Sequence, residues 1–451
     1  MIVSPAFAGR RYAVLGLARS GMAAAEALLA SGAQVIAWDR REDAREALAG
    51  RAEIADPLEY SLAGLDAIVL SPGVPLNTHP IAERADAAGV PLIGDIELFA
   101  LARPSLPPHR VVGITGTNGK STTTALVRHL LEQAGIPARM GGNIGLPILG
   151  REPLPAGGVY VLELSSYQLD LTTSLACEAV AVTNITPDHL DRYADFAAYV
   201  RSKGQLPAMQ SPDQFAVFGC EDAPVRGLRQ AELARRAPDR AICAPLDHWR
   251  ARQGEWPSLQ GPHNLQNAAV AAALTMELGL TEAQVAAGLA SFAGLAHRME
   301  RLGVFGGVLF INDSKATNPA STAPALSAWP ADPRRRVHWI CGGLPKTDDL
   351  DECAPGFPNI AAAYTIGEAG PRFAELLEPH MHVERCEMLC EAVQRAMQAA
   401  VPGDVVLFSP ACASFDQFRD YEVRGDSFRQ LVEQLAGEGG HAVPCPSRAA
   451  S

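Results

Sequence analysis

The chain has 451 residues, of which 48% are hydrophobic and 20% charged, with a formal net charge of −12. That length is too great for one core and predicts about three domains of an ordinary globular protein. The acidic balance excludes a nucleic-acid scaffold, which needs a basic surface, and no apolar run approaches a membrane span. The start, MIVSPAFAGRRYAVLG, has no basic segment ahead of a long apolar run, which predicts a cytoplasmic protein. Nine cysteines without a C-x-x-C pair predict reduced thiols.

Within a first module, 1–102, residues 11–100 alternate strand and helix signals: a strand at Tyr12 to Leu15, a helix at Gly21 to Ala30, a strand at Gln34 to Asp39, then short apolar runs at Ala67 to Leu70 and Pro91 to Ile93. This is a parallel-sheet pattern. Its first turn, Gly16 to Gly21, is a dinucleotide fingerprint with Ala18 in place of the second glycine. Alanine restricts backbone approach to a pyrophosphate, which argues against a nicotinamide or flavin site, although Asp39 ends the second strand where a Rossmann protein holds a ribose. The proline-rich stretch Arg103 to His109 reads as a linker into a second module, 103–301.

That module opens with a strand (Val111 to Ile114), the loop Thr115-Gly-Thr-Asn-Gly-Lys-Ser121 and a helix from Ser121 to Ala134. A glycine-rich turn between strand and helix presents N–H groups to phosphates; Lys120 adds charge and the Ser121 hydroxyl can ligate Mg²⁺. The strict consensus glycine five positions before Gly119 is Ile114, so the pattern is G-x-x-G-K-S. It predicts ATP or a close analogue as ligand. Further on, Val159 to Leu164 and Ala179 to Ile185 read as strands, Arg226 to Gln260 as irregular, and Asn264 to Gly279 as a helix. A third strand–helix series starts near Leu302, with strands at Val308 to Ile311, Val337 to Ile340, Ala363 to Ile366 and Val405 to Phe408. It occupies 302–436, and 437–451 reads as a mobile tail.

Ligands of open α/β sheets sit at the carboxyl ends of strands. Besides the phosphate loop, three polar clusters occupy such ends: Glu163 to Gln168, Thr183 to Asp191, and Ile311 to Pro319. Glu163 can hold the nucleotide's Mg²⁺. His189 between Asp188 and Asp191 suits a metal or substrate, and His263, Asn264 and Asn267 share one helical face. His297-Arg298 is placed to contact phosphates. Lys203, by contrast, reads from its neighbours as a solvated lysine.

Together, Gly116 to Ser121, Glu163 with Ser165-Ser166, Asn184 to Asp191, His263-Asn264 with Asn267, and His297-Arg298 resemble the Mur ligase family. Gly94 to Phe99, Gly141 to Pro147, Asp188 to Tyr193 and Ser409 to Phe418 resemble its D-glutamate-adding branch and spread the likeness over nearly the whole chain. The resemblance implies three α/β domains: a Rossmann-like N-terminal domain, a P-loop central ATPase domain with a mostly parallel sheet, and a Rossmann-like C-terminal domain. It implies a ligase that joins glutamate to UDP-N-acetylmuramoyl-L-alanine through an acyl phosphate, using ATP and two Mg²⁺ ions, as a cytoplasmic monomer without nucleic-acid or membrane partners.

By the same resemblance, Arg19, Ser20, Asp39, Arg40, Ser71, Gly73, Asn143, Gln168 and His189 hold the UDP substrate. Gly116, Thr117, Asn118, Gly119, Lys120, Ser121, Thr122, Asn264, Asn267, Arg298 and Asp313 hold ATP between the second and third modules. Thr317, Lys346, Ser414, Phe415 and Tyr421 hold glutamate. Ser121 and Glu163 serve one metal, and His189 with a carbamylated Lys203 the other; Lys120, His189 and Lys203 carry the catalysis. Leu344-Pro345 stand where the family commonly has Asp-Gly. Rival readings are a related ligase for L-glutamate or another amino acid, and a P-loop NTPase or kinase.

Overall fold

The computed structural model describes residues 1–189 and 191–437. The expected tail lies outside the described residues except for Gly437, which ends the helix Tyr421–Gly437. The chain is α/β throughout, with three sheets. Residues 1–292 form one compact unit, and the described residues from 293 onward form a second.

In the first unit, β1 (Arg11–Leu15), β2 (Gln34–Trp38), β3 (Glu53–Ile54), β4 (Ala67–Leu70) and β5 (Leu92–Ile93) form a parallel sheet in the order β3-β2-β1-β4-β5. A second parallel sheet contains β6 (His109–Thr115), β7 (Ala138–Gly142), β8 (Gly158–Glu163), β9 (Ala179–Val182), β10 (Phe215–Phe218) and β11 (Ala241–Cys243). Their order is β11-β10-β9-β6-β8-β7. The inner strands β8 and β9 are buried throughout and β6 from Val111 onward, as a parallel sheet covered on both faces requires. One apolar cluster runs from Val14 and Phe99 to Val182 and Phe218, so the two sheets share a core. The helix Lys120–Gln133 buries Leu126, Val127, Leu130 and Leu131, each contributing about 1.5–3 kcal/mol.

In the second unit, β12 (Glu300–Phe305), β13 (Val308–Asn312), β14 (Val337–Gly342), β15 (Ile360–Ile366), β16 (His382–Glu387) and β17 (Val405–Phe408) lie in the order β12-β13-β17-β14-β15-β16. All pairs are parallel except β12 with β13. Apolar clusters cover both faces.

Several expectations change. The third series begins at Glu300, because Gly306-Gly307, both at positive φ, close a hairpin that periodicity alone does not reveal. The stretch Arg226 to Gln260 is not irregular: it contains most of the helix Ala223–Leu233, then β11 and the helix Leu246–Arg250, anchored by the fully buried Trp249 and Trp256. Within the linker, Arg103 makes a two-pronged ion pair with Glu178 (2.8 and 3.0 Å), so that junction is fastened to the sheet.

The expectation of reduced thiols also fails at Cys220, Cys243 and Cys390. Cys220 and Cys243 are joined by a disulfide, because β10 and β11 set Phe218 beside Cys243 and bring the two cysteine Cα atoms to 5.7 Å. Cys177, Cys341, Cys353, Cys386 and Cys412 are free and buried. Among the described residues no helix is long and apolar enough to cross a membrane.

Candidate active site

The phosphate loop leaves the end of β6 through Gly116 (φ 145°) and enters its helix through Gly119 (φ 81°), which as N-cap offers no side chain. Asn184, from the end of β9, fixes the loop. Its carbonyl accepts from the Thr117 N–H (2.7 Å), and its side chain both accepts from the Asn118 N–H (2.8 Å) and donates to the Asn118 carbonyl (3.0 Å). Thr183 Oγ1 donates to the same carbonyl at 2.7 Å. The N–H groups of Thr117 and Asn118 are therefore turned to Asn184, and a phosphate is left to the N-terminus of the helix. Ser121 is buried in its first turn, followed by Thr122.

Gly119 is fixed by space as well as by φ: a Cβ there would lie 2.2 Å from Asn267 Oδ1. Asn267 reaches the phosphate loop itself, and its side chain donates to Asn264 at 3.3 Å. Gly119→Ala is expected to destabilise the first unit by about 1–3 kcal/mol and to abolish nucleotide binding. Thermal unfolding with and without Mg-ADP checks this; an undiminished Tm increase on adding Mg-ADP would contradict it.

Two lysines converge on one carbonyl. Lys120 Nζ donates to the Gly116 and Thr117 carbonyls (2.9 and 2.7 Å), and Lys203 Nζ donates to Gly116 at 2.7 Å. Lys203 is 2% exposed, which overturns its reading as a solvated side chain: the helix Phe196–Ala208 turns it inward beneath the Tyr199 ring. Burial, reinforced by the charge of Lys120, pushes its pKa down to about 7.

Glu163 ends β8, paired with β6 beside Ile114 at the root of the loop. Asn143 donates to its Oε1 at 2.8 Å, while Oε2 is buried with no hydrogen-bond partner. An unmatched buried carboxylate oxygen needs a cation or a proton. Among the described residues no group of three or more His, Cys, Asp or Glu side chains is arranged to hold a metal.

His189, at φ 54°, caps a turn in which Arg192 N–H donates to its carbonyl (2.9 Å). Its ring lies 5.0 Å from that of Tyr167, over which Arg192 also stacks at 4.5 Å. The same turn touches the segment that follows β4: Asn77 donates to the Asp191 carbonyl (2.9 Å) and Arg192 to that of Gly73 (3.4 Å). A small cleft lined by Val74, Leu76, Tyr167 and Tyr193 lies there.

Of the expected UDP-substrate residues, Ser71 donates to the Gly16 carbonyl (2.9 Å), and Arg19 to Gly145 (3.0 Å), close to Asn143. Ser20 lies in the first turn of the helix Arg19–Ala30. Asp39 does not point freely at a ribose: its carboxylate accepts from the N–H groups of Leu17 (2.6 Å) and Arg41 (2.9 Å). Burial pushes its pKa up, but those bonds and the charges of Arg41 and Arg45 outweigh that and hold it below the usual value. Arg40 is exposed beside it. Gln168 is buried as the partner of Ser165 in a capping box.

In the second unit, Lys346 Nζ lies 3.4 Å from Thr317 Oγ1. Leu344 pairs with Ala413, next to the buried Ser414, so the segments that carry Lys346 and Ser414, both expected to bind glutamate, are hydrogen-bonded neighbours, while Phe415 is 70% exposed. Tyr421 lies under the Lys315 ammonium at 3.9 Å. Asp313 directly follows β13, accepting from the Met299 N–H (3.0 Å) beside Arg298 and from Ser409 Oγ (2.7 Å). Burial pushes its pKa up to about 7. The unfolded carboxyl loses its proton near 4 but the folded one holds it to about 7, so this contribution is full below pH 4 and lost as pH rises through 7. Asp313→Asn is expected to flatten the stability profile of this unit between pH 4 and 7, measured by denaturant unfolding.

Sequence reasoning missed Tyr199, Asn77 and Arg424. Arg424 had a signal: it occupies the apolar stripe it shares with Phe428, Val432 and Leu435.

A phosphate loop with two converging lysines, and an unmatched carboxylate at the next strand end, define a nucleotide-dependent enzyme built on three α/β sheets. Family models match along the chain: "Mur ligase MurD-like, N-terminal domain" over residues 10–94, "Mur ligase middle domain" over 114–238, and "Mur ligase, glutamate ligase domain" over 297–412. The chain is 65% identical to the UDP-N-acetylmuramoylalanine–D-glutamate ligase of Novosphingobium aromaticivorans, over 99% of both chains. It is 56% identical to the enzyme of that name from Sphingopyxis alaskensis, over 96% of this chain and 100% of the relative. A solved UDP-N-acetylmuramate–alanine ligase from Thermotoga maritima shares the fold, with a TM-score of 0.57 at 16% identity, over 94% of this chain and 99% of that one. The chain belongs to the Mur ligase family.

Proposed function

We propose that this enzyme is an ATP- and Mg²⁺-dependent amide ligase that adds D-glutamate to UDP-N-acetylmuramoyl-L-alanine in the synthesis of peptidoglycan precursors, acting as a cytoplasmic monomer. The choice of reaction is carried by near-full-length identity of 51–65% to three relatives bearing the name of that D-glutamate ligase. The site's chemistry supports it. A carboxylate is a poor electrophile at neutral pH, so amide formation requires activation. Transfer of the γ-phosphoryl group to the alanyl carboxylate gives an acyl phosphate and ADP; the glutamate amine then attacks the carbonyl and phosphate leaves.

Lys120 neutralises charge on the transferring phosphoryl group, a task for preorganised electrostatics. Ser121 and the open oxygen of Glu163 would hold one Mg²⁺, and His189 with a carbamylated Lys203 a second. Bound Mg²⁺ supplies charge neutralisation at phosphate oxygens. A pKa of about 7 leaves much of the Lys203 amine neutral, the form that adds CO₂ to give a carbamate. Asn143 holds Glu163 in place through Oε1. Thr317, Lys346 and Ser414 supply the hydroxyls and cation that a dicarboxylate needs.

Phosphate release from ATP with UDP-N-acetylmuramoyl-L-alanine, comparing D-Glu, L-Glu, other amino acids and none, tests the reading. Release dependent on D-Glu, with a dipeptidyl product, is expected. Release with L-Glu alone would overturn the substrate, and release indifferent to amino acids would favour an NTPase.

A further inference from the structure

We propose that Cys220 and Cys243 form a reversible redox site whose state tunes how the phosphate loop holds ATP. The pair differs from the five free cysteines, all of them buried: Cys243 is exposed and Cys220 half-buried. An accessible thiol on one edge strand faces a second just past the end of its parallel neighbour, at the Cα separation a disulfide spans. The co-reactant this site takes is a small-molecule disulfide or dithiol.

The chemistry balances as thiol–disulfide exchange. The Cys243 thiolate attacks one sulfur of the oxidant and expels the other half as a thiol. The Cys220 thiolate then attacks the mixed disulfide and releases the second thiol, so two electrons and two protons pass to the oxidant. A dithiol reductant reverses both steps.

Contacts link the pair to the site. Cys220 follows Gly219, whose N–H is bonded to the end of β9 (Val182 carbonyl, 2.9 Å), and it holds a left-handed backbone at φ 60°. Arg226 grips the carbonyls of Cys220 and Glu221 (3.0 Å each). Two residues on, Asp222 caps the helix Ala223–Leu233 through the Val225 N–H (2.8 Å) and holds the Ile185 N–H at 3.1 Å. Ile185 follows Asn184, the residue that fixes Thr117 and Asn118 in the phosphate loop. A Cβ on Gly219 would meet the Thr183 carbonyl at 1.8 Å, so this segment packs directly against the loop's anchor. Oxidation ties the segment to β11; reduction removes that covalent tie.

The test uses the full chain equilibrated with oxidised glutathione or with dithiothreitol. Alkylation followed by peptide mapping is expected to show Cys220 and Cys243 blocked after the first treatment and labelled after the second. Mg-ATP, titrated under non-turnover conditions without the other substrates, is expected to bind about fivefold more weakly to the reduced form. Cys243→Ser is expected to match reduced protein under both treatments, and Cys220→Ser serves as a second variant should that one fold poorly. Both cysteines staying labelled after oxidised glutathione would overturn the proposal, as would equal ATP affinity in the two wild-type states. Thiol mapping does not depend on the ligase reading, so its failure is distinct from failure of the amino-acid assay.

Discussion

Lys203→Met is expected to fold at least as stably as the parent chain and to lose ligation by about 10³-fold. Methionine matches the unbranched length of lysine and fills the same buried channel under Tyr199 without an ammonium to desolvate. The lost bond to the Gly116 carbonyl is shared with Lys120, so that carbonyl keeps a donor. The pH dependence of stability separates the two roles. The unfolded lysine stays protonated to about 10.5, whereas the folded one releases its proton near 7. Between those values the unfolded chain binds more protons, so this residue's contribution makes stability rise with pH across that window. The variant lacks that slope, which urea unfolding at pH 7 and 9 measures. Parent activity is further expected to fall in bicarbonate-depleted buffer, since a carbamate needs both CO₂ and neutral amine. A variant that retains a tenth of the ligation rate would end the catalytic role of Lys203.

Lys203 also marks where the sequence stops being legible. Its neighbours, Tyr199, Val200 and Arg201, give no local pattern for a buried amine, and only the family likeness marks it. Burial arises from tertiary packing of the helix Phe196–Ala208 on the phosphate loop. The loop itself was readable, because strand, glycines, lysine, hydroxyl and helix are consecutive. What consecutive residues did not reveal is that Asn184, more than sixty positions away, sets the loop's shape.

Strands followed the same division. Buried runs such as Val111 to Ile114 and Val405 to Phe408 announce themselves by continuous apolar content. The edge strands β7 and β16 do not: Ala-Arg-Met-Gly-Gly and His-Val-Glu-Arg-Cys-Glu have weak strand preference, and sheet pairing overrides it. Asp39 shows what position alone omits: it follows β2 like a ribose-binding acid, and its carboxylate also accepts from the N–H groups of Leu17 and Arg41.

Arg424→Ala is expected to destabilise the second unit by about 3–5 kcal/mol. The side chain is 1% exposed and donates to the carbonyls of Ala413 (3.0 Å), Cys412 (3.0 Å) and Ser314 (2.8 Å) and to Ser314 Oγ (3.1 Å). Burial pushes its pKa down to about 10, so it remains charged at neutral pH with backbone carbonyls as its partners. Alanine would leave those carbonyls with one donor fewer and open a cavity beneath the chain. The two segments that Arg424 ties together lead to Ser414 on one side and to Lys315 and Thr317 on the other. The fork geometry matters as much as the charge: lysine reaches as a single point and cannot serve three separated carbonyls. Arg424→Lys is therefore expected to recover part of the stability while the KM for glutamate stays raised. Denaturant unfolding together with glutamate and ATP kinetics separates these effects, since ATP parameters should move less than those of glutamate. If the lysine variant restores both stability and glutamate KM, charge alone holds the two segments, and the guanidinium's shape plays no part.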